Sequence, residues 1–197
     1  MRVNELNNIT KSILSVEEIA NILSITKESA IVSANRYVKN NLLIRLKTNL
    51  YITPEKFDKL NEEGIFKLAN NIQVPSYISF TTALSYYNIS TQQLQGIIES
   101  AALKRTKSAG AKTIRFNYML LKKDFYNGFI LYNDFFIASP EKAFADVIYL
   151  SSMSRYKCDL ESIDFSKLNK QIISDLLVNT NNKAIKYWDN LCKRYKI

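Results

Sequence analysis

The sequence predicts an α+β protein in two parts, and three observations carry that expectation. Residues 15–39 hold two successive apolar patterns at helical spacing, separated by only three residues. Residues 97–137 are instead built of short β-prone runs between turn signals. The last thirty residues return to helical spacing. The expected division is 1–71 and 72–197, the second part being a mixed α/β domain with a small, mainly antiparallel sheet and C-terminal helices.

Residues 3–14 place Leu6, Ile9, Ile13 and Leu14 on one face and predict a first helix. Ser15 then opens a capping box with Glu18, three residues on, each side chain reaching the other's backbone amide. The helix that follows buries Val16, Ile19, Ala20 and Leu23. In the turn Ser24-Ile25-Thr26, Ile25 faces inward and Thr26 caps the next helix. That helix runs from Lys27 to about Lys39 with Ala30, Ile31, Ala34, Tyr37 and Val38 inward. The small Ala30 and Ala34 allow close approach of its neighbour. Lys27, Glu28, Ser29, Ser33, Arg36 and Lys39 fall on the other side. A helix that reads bases needs this split between an apolar back and a polar face, although any amphipathic surface helix also shows it.

The next segment is more specific. Leu42–Leu46 and Leu50–Ile52 are β-prone runs around the turn Lys47-Thr48-Asn49, with Arg45 and Lys47 on or beside the tip. Helix, turn, helix and a basic hairpin in immediate succession is the winged helix-turn-helix pattern. The expected DNA contacts are Thr26, Lys27, Ser29, Ser33 and Arg36 from the helix, with Arg45, Lys47 and Asn49 from the wing.

Pro54 ends the hairpin and starts a charged helical connector over 54–71. After Pro75, residues 79–87 form a helix with Ala83, Leu84 and Tyr87 inward. Four strands are expected in IIESAAL, TIRFNYMLL, FYNGFILY and DFFIA. Asn127-Gly128 and Asn133-Asp134 are the turn pairs that suggest antiparallel neighbours. Lys104, Arg105, Lys107, Lys112 and Arg115 cluster at the first connection and into the next strand, as a second nucleic-acid surface or a solvated loop. Ser139-Pro140-Glu141 caps an apolar helix, and two more helices follow at about 166–178 and 180–195, the last packing through Trp188 and Leu191.

The chain of 197 residues carries a net charge of +9, a balance that suits a phosphate-binding partner. Of its 27 basic residues 20 are Lys, which also fits an AT-rich coding bias, so the distribution matters more than the sum. Residues 101–123 hold seven basic side chains and no acidic one; residues 124–165 are net −4. The absence of histidine excludes Ser-His-Asp and Cys-His nucleophiles and HExxH zinc sites. With no phosphate-binding glycine loop either, no enzyme, cofactor or metal is expected. Glu141, Lys142 and Asp146 could hold chemistry, but Glu141 and Lys142 point about 100° apart on a helix, and capping with surface pairing accounts for them. Cys158 and Cys192 lie far apart and read as reduced thiols. No run reaches the roughly 18 apolar residues of a membrane span, and the N-terminus lacks a signal-peptide core, so a cytoplasmic protein is expected.

Taken in order, LLIRLKTNLYIT, YISFTTALSYYNIS, LKRTK and IASPEKAFADVIYL resemble the AbiEi family, the antitoxin and transcriptional regulator of type IV toxin–antitoxin (abortive infection) systems. The resemblance covers about residues 15–152. Similar proteins usually carry glycine where Asn40-Asn41 and Asn49 stand here, and asparagine is the ordinary residue that best tolerates the left-handed backbone. The resemblance implies a repressor of its own operon that binds inverted repeats in double-stranded promoter DNA. The protein would be a monomer in solution or a dimer on DNA. The resemblance further implies that the second domain contributes both to repression and to neutralising a nucleotidyltransferase-like toxin, the latter without a stable complex. The alternative is a protein–protein interaction module that uses the winged helix, with the acidic 124–165 region, and does not bind specific DNA.

Overall fold

The structure, a computed structural model, describes residues 11–178 and 180–196. Residues 3–10 of the predicted first helix lie outside that range, and its last part is not helical. Ile13–Leu14 form β1, paired antiparallel with Ile52 and Tyr51 of a strand almost forty residues downstream. Helical spacing of apolar residues cannot reveal such a partner, and Leu14 is buried by it.

Helix α1 (Val16–Leu23) begins on the predicted capping box: the Glu18 amide donates to Ser15 Oγ at 3.2 Å and the Ser15 amide to Glu18 Oε2 at 2.7 Å. Thr26 caps α2 (Lys27–Lys39) through the Ser29 amide. Ala30, Ala34 and Tyr37 form the buried stripe. Ile31, expected inward, is 43% exposed, because the contact line follows i, i+4 and i+7 from Ala30 and residue 31 sits about 100° away.

Strands β2 (Ile44–Lys47) and β3 (Leu50–Ile52) form the hairpin, giving a three-stranded antiparallel sheet in the order β1-β3-β2. Asn41 (φ 57°) and Asn49 (φ 63°) both take the left-handed backbone that those turns need. This sheet faces two cores. Leu43 and Tyr51 pack with α1 and α2, while Leu46 and Ile52 join the large core of the remaining chain.

The expected connector is two helices, α3 (Pro54–Asp58) and α4 (Glu62–Ile72), the second capped by Asn61. Although its first turn is charged, α4 buries Ile65, Phe66, Leu68, Ala69 and Ile72 in the large core. A six-stranded sheet lies beside it, in the order β6-β7-β5-β4-β9-β8. Its strands are β4 (Ser76–Ile78), β5 (Ile97–Ala102), β6 (Lys107–Ala111), β7 (Ile114–Leu120), β8 (Phe129–Tyr132) and β9 (Phe135–Ala138). Two of its pairs, β4–β9 and β5–β7, are parallel, so the small, mainly antiparallel sheet of the sequence reading becomes a larger mixed one. The unforeseen strands are β4, only three residues long, and β6, whose KSAGA lacks β-prone side chains. Asn133 and Asp134, both at positive φ, close the β8–β9 hairpin, whereas Asn127-Gly128 precedes β8 and joins no strand pair.

The sheet is sandwiched. Tyr118 on one face donates to the Ala69 carbonyl of α4 at 2.7 Å. Tyr77 on the other face donates to Asp146 of α6 (Pro140–Ser151) at 2.9 Å. Helix α5 (Phe80–Tyr86) also packs on α6, and α7 (Lys170–Val178) and α8 (Asn182–Tyr195) cover α6 from outside, with Trp188 edge-on to Phe144. Among the described residues no helix is long and apolar enough to cross a membrane.

Candidate nucleic-acid interface

The exposed face of α2 and the hairpin enclose a groove of about 420 Å³. Lys27, Ile31, Asn35, Arg45, Thr48 and Asn49 are among its walls. Arg45 donates to Asn35 Oδ1 of α2, and its guanidinium lies 5.6 Å from the Tyr51 ring centre across the strand pair. The groove is therefore pre-shaped by a bond from strand to helix. Ser29 and Arg36 are exposed on α2, and Ser33 is half-buried. Thr26 is exposed with its hydroxyl on the Ser29 amide.

Besides Thr26 and Arg45, the predicted contact residues Lys27 and Asn49 are already engaged inside the module. Lys27 is 2.6 Å from Glu17 of α1, a bond that raises the lysine's pKa and, as its main cause, pulls the Glu17 carboxyl down to about 2. Asn49 Oδ1 accepts the Val16 amide at 2.8 Å and its Nδ2 donates to Glu17 at 3.2 Å, so the hairpin tip leans on the start of α1. Asn35, Ile31 and Thr48 were not picked out from sequence as contacts. Asn35 was detectable, since it lies eight residues beyond Lys27 on the same strip of α2.

The five residues of the second basic surface do not stay together. Lys104, Arg105 and Lys107 line a groove of about 710 Å³ with Lys47 of the hairpin. Lys112 instead sits 2.6 Å from Asp58 and over the Phe57 ring, tying the sheet to α3. Arg115 lies on the opposite face of β7 from Tyr118, whose strand partner is Lys107. The Lys47 ammonium donates to the Asn71 carbonyl at 2.6 Å, and its pKa is lowered by burial first, then by Lys107 and Lys104.

Lys142 and Asp146 correct the expectation of surface pairing, because both are 0% exposed. Lys142 Nζ donates to Asp146 Oδ1 at 2.6 Å and to the Phe125 carbonyl at 2.7 Å, and lies 3.3 Å from the Phe125 ring centre. Asp146 Oδ2 accepts from the Tyr77 and Ser79 hydroxyls at 2.9 and 2.6 Å. With donors and acceptors matched on both oxygens, the pair is a pin between α6, β4 and the segment before β8. Glu141 points elsewhere, accepting the Asn169 amide at 3.3 Å.

The fold is similar to that in the crystal structure of the RV2827C protein from Mycobacterium tuberculosis. The TM-score is 0.63 at 8% identity, over 97% of this chain and 74% of that one. At that identity the likeness concerns the fold alone. No protein-family model matches the chain, and no curated protein matches it either.

Proposed function

We propose that residues 15–53 are a winged helix-turn-helix that binds double-stranded DNA, and that the protein is a sequence-specific transcriptional regulator. The observation that carries this reading is the groove between α2 and the hairpin, where the exposed side chains of Lys27, Asn35 and Arg45 line the walls together with Ile31. Helix α2 would enter the major groove, with Lys27, Ser29, Ser33, Asn35 and Arg36 toward base edges and phosphates. The exposure of Ile31 and Val32 (43% and 68%) suits contact with thymine methyl groups. The resemblance to the AbiEi family supplies the setting: an antitoxin that represses its own operon at inverted repeats and counteracts a nucleotidyltransferase-like toxin without a lasting complex. The test is retardation of a duplex from upstream of the protein's own reading frame. Arg36→Ala and Arg45→Ala should weaken binding and each reduce the salt slope by about 1. Unchanged affinity and slope in both variants would remove the assignment.

A second reading, an interaction protein that does not bind specific DNA, is favoured by one observation. Edge strand β8 and its partner leave Ile130, Leu131, Tyr132 and Phe136 exposed within the acidic 124–165 stretch. Leu131 and Phe136 pair on one face of this hairpin, with Ile130 and Tyr132 on the other, and exposed apolar side chains grouped at a sheet edge mark contact surfaces. Capture of one stoichiometric protein partner, with no duplex retardation at low salt, would favour it over the first.

A further inference from the structure

The six-stranded sheet ends on two unlike edges, β6 and β8. Strand β6 lies beside β2 of the hairpin and carries Lys107. Strand β8, Phe-Ile-Leu-Tyr, has no charge, no proline and no bulge, the usual devices that keep an edge from pairing. Its free backbone groups follow from the register. The Ser139 amide donates to the Gly128 carbonyl at 3.0 Å, and bonded and non-bonded pairs alternate from there. Phe129 and Leu131 therefore stand in non-bonded pairs with Ala138 and Phe136. The Phe136 amide accordingly turns away from β8 and donates to Asn70 Oδ1 at 2.6 Å. On β8 the same alternation directs the N–H and C=O groups of Phe129 and Leu131 outward, and among the described residues no strand pairs with them. Beside these groups Ile130, Leu131 and Tyr132 are 51%, 63% and 44% exposed, and Phe136 is 42% exposed.

We infer that β8 pairs with β8 of a second copy of this chain in solution, joining two six-stranded sheets about a two-fold axis at Ile130. The pairing needs neither DNA nor a foreign protein, and so goes beyond both readings above. Self-complementarity selects the second copy. Antiparallel pairing centred on Ile130 sets Phe129 opposite Leu131 of the other copy and Leu131 opposite its Phe129, so every outward N–H meets an outward C=O. A register centred on Phe129 or Leu131 instead reaches into Asn127 or Asn133, outside the strand. The side chains agree with the central register. Phe129, Leu131 and Phe136 share one face, where the rows of the two copies meet, and Ile130 meets its own copy on the other. The four exposed apolar side chains present roughly 400 Å² per copy. With the strand backbone, the two copies together bury about 1,000 Å², the lower limit for a specific interface. The dimer is therefore reversible, with a dissociation constant on the order of 10 µM. It also closes: the contact is isologous, and with β6 flanked by β2 the six-stranded sheet has no second free edge for a third copy.

The experiment is sedimentation equilibrium of the full chain without DNA, over about 5 to 200 µM. Wild type should pass from monomer to dimer across that range. Leu131→Lys sets a charge on the pairing edge and should weaken association about 100-fold. Its circular dichroism spectrum should not change, since Leu131 is mostly exposed. Ile172→Lys on α7, also at an exposed position, should associate as wild type does. Cross-linking reads the register, in a Cys158→Ser/Cys192→Ser background that removes the free thiols. Ile130→Cys should form an inter-copy disulfide under mild oxidation, because directly opposite residues bring their Cβ atoms to about 4.5–5.5 Å. Tyr132→Cys should not, since its two copies would stand about 14 Å apart. Monomer at every concentration overturns the proposal and leaves the exposed row to a foreign partner. So does a dimer that survives Leu131→Lys, or cross-linking of Tyr132→Cys as readily as of Ile130→Cys.

Discussion

Asn49 Oδ1 accepts the Val16 backbone N–H at 2.8 Å, so the tip of the β2–β3 hairpin caps the first turn of α1. Through its Nδ2 the same side chain reaches Glu17, which in turn holds Lys27 at the start of α2. One residue at φ 63° thus links three elements of the N-terminal module. Two effects are separable here by substitution. Asn49→Gly keeps the left-handed backbone and removes the cap, and should cost about 1 kcal/mol. Asn49→Ala loses the cap and strains the backbone, for about 1–2 kcal/mol more. Urea titration of both variants checks the order; equal stability of Ala and Gly at this position would contradict it.

The buried Lys142–Asp146 pair makes a sharper prediction. Burial pushes the Asp146 carboxyl up and the Lys142 ammonium down, and each opposes the shift of the other. Lys142→Met strands a fully buried carboxylate and should destabilise the protein by about 3–5 kcal/mol. Adding Asp146→Asn, which still meets the Tyr77 and Ser79 hydroxyls, should recover part of that loss. Equilibrium unfolding followed by circular dichroism measures both. A single-variant cost below about 1 kcal/mol would show that the pair is not sealed from water.

Glu99 gives the protein a defined pH dependence. Its carboxylate accepts the Tyr156 hydroxyl at 2.6 Å and the Thr81 amide at 3.2 Å, yet burial dominates and pushes its pKa from 4.5 up to about 7. Between those values the folded protein binds a proton that the unfolded chain does not. The resulting stability is complete below about pH 4.5 and is lost as pH rises through 7, on the order of 3 kcal/mol in all. Glu99→Gln should abolish that decline and leave the variant more stable than wild type at pH 8. Thermal melts at pH 5 and pH 8 decide it: parallel shifts in variant and wild type would rule Glu99 out as the source.

Val32, 68% exposed on α2, separates reading from folding. Val32→Ala should change stability by no more than about 0.5 kcal/mol. On the DNA-binding reading, it should also lower the preference for sites with thymine by about fourfold per methyl contacted. Competition between a thymidine duplex and the same duplex carrying deoxyuridine tests this. The wild type should discriminate and the variant should not; equal discrimination by both would place Val32 outside the interface.

How much of this was legible in the chain depends on the range of the interactions. The caps at Ser15, Thr26 and Ser139, the asparagine turns at 41 and 49 and the apolar faces of α1 and α6 are all set within a few residues. Their energies do not depend on what packs later, so sequence reading finds them. The strand β1, the short β4 and the Ala/Gly strand β6 escape the same reading because their evidence is a partner elsewhere in the chain. Ile31 is misplaced for a related reason: helical spacing cannot say about which line two helices touch.

By itself, the sequence determined a helix, turn, helix and hairpin with a basic tip, a β-rich middle and a helical tail. It also determined that any chemistry must do without histidine. The tertiary structure decided which charges act together. Lys112 was drawn to Asp58 and Arg115 to the far face, while Lys47 was set beside Lys104, Arg105 and Lys107. It also moved Lys142 and Asp146 from an assumed surface into the core. A charge's role depends on its neighbours in space and on its exposure to water, and strand order fixes both only once the whole chain has folded.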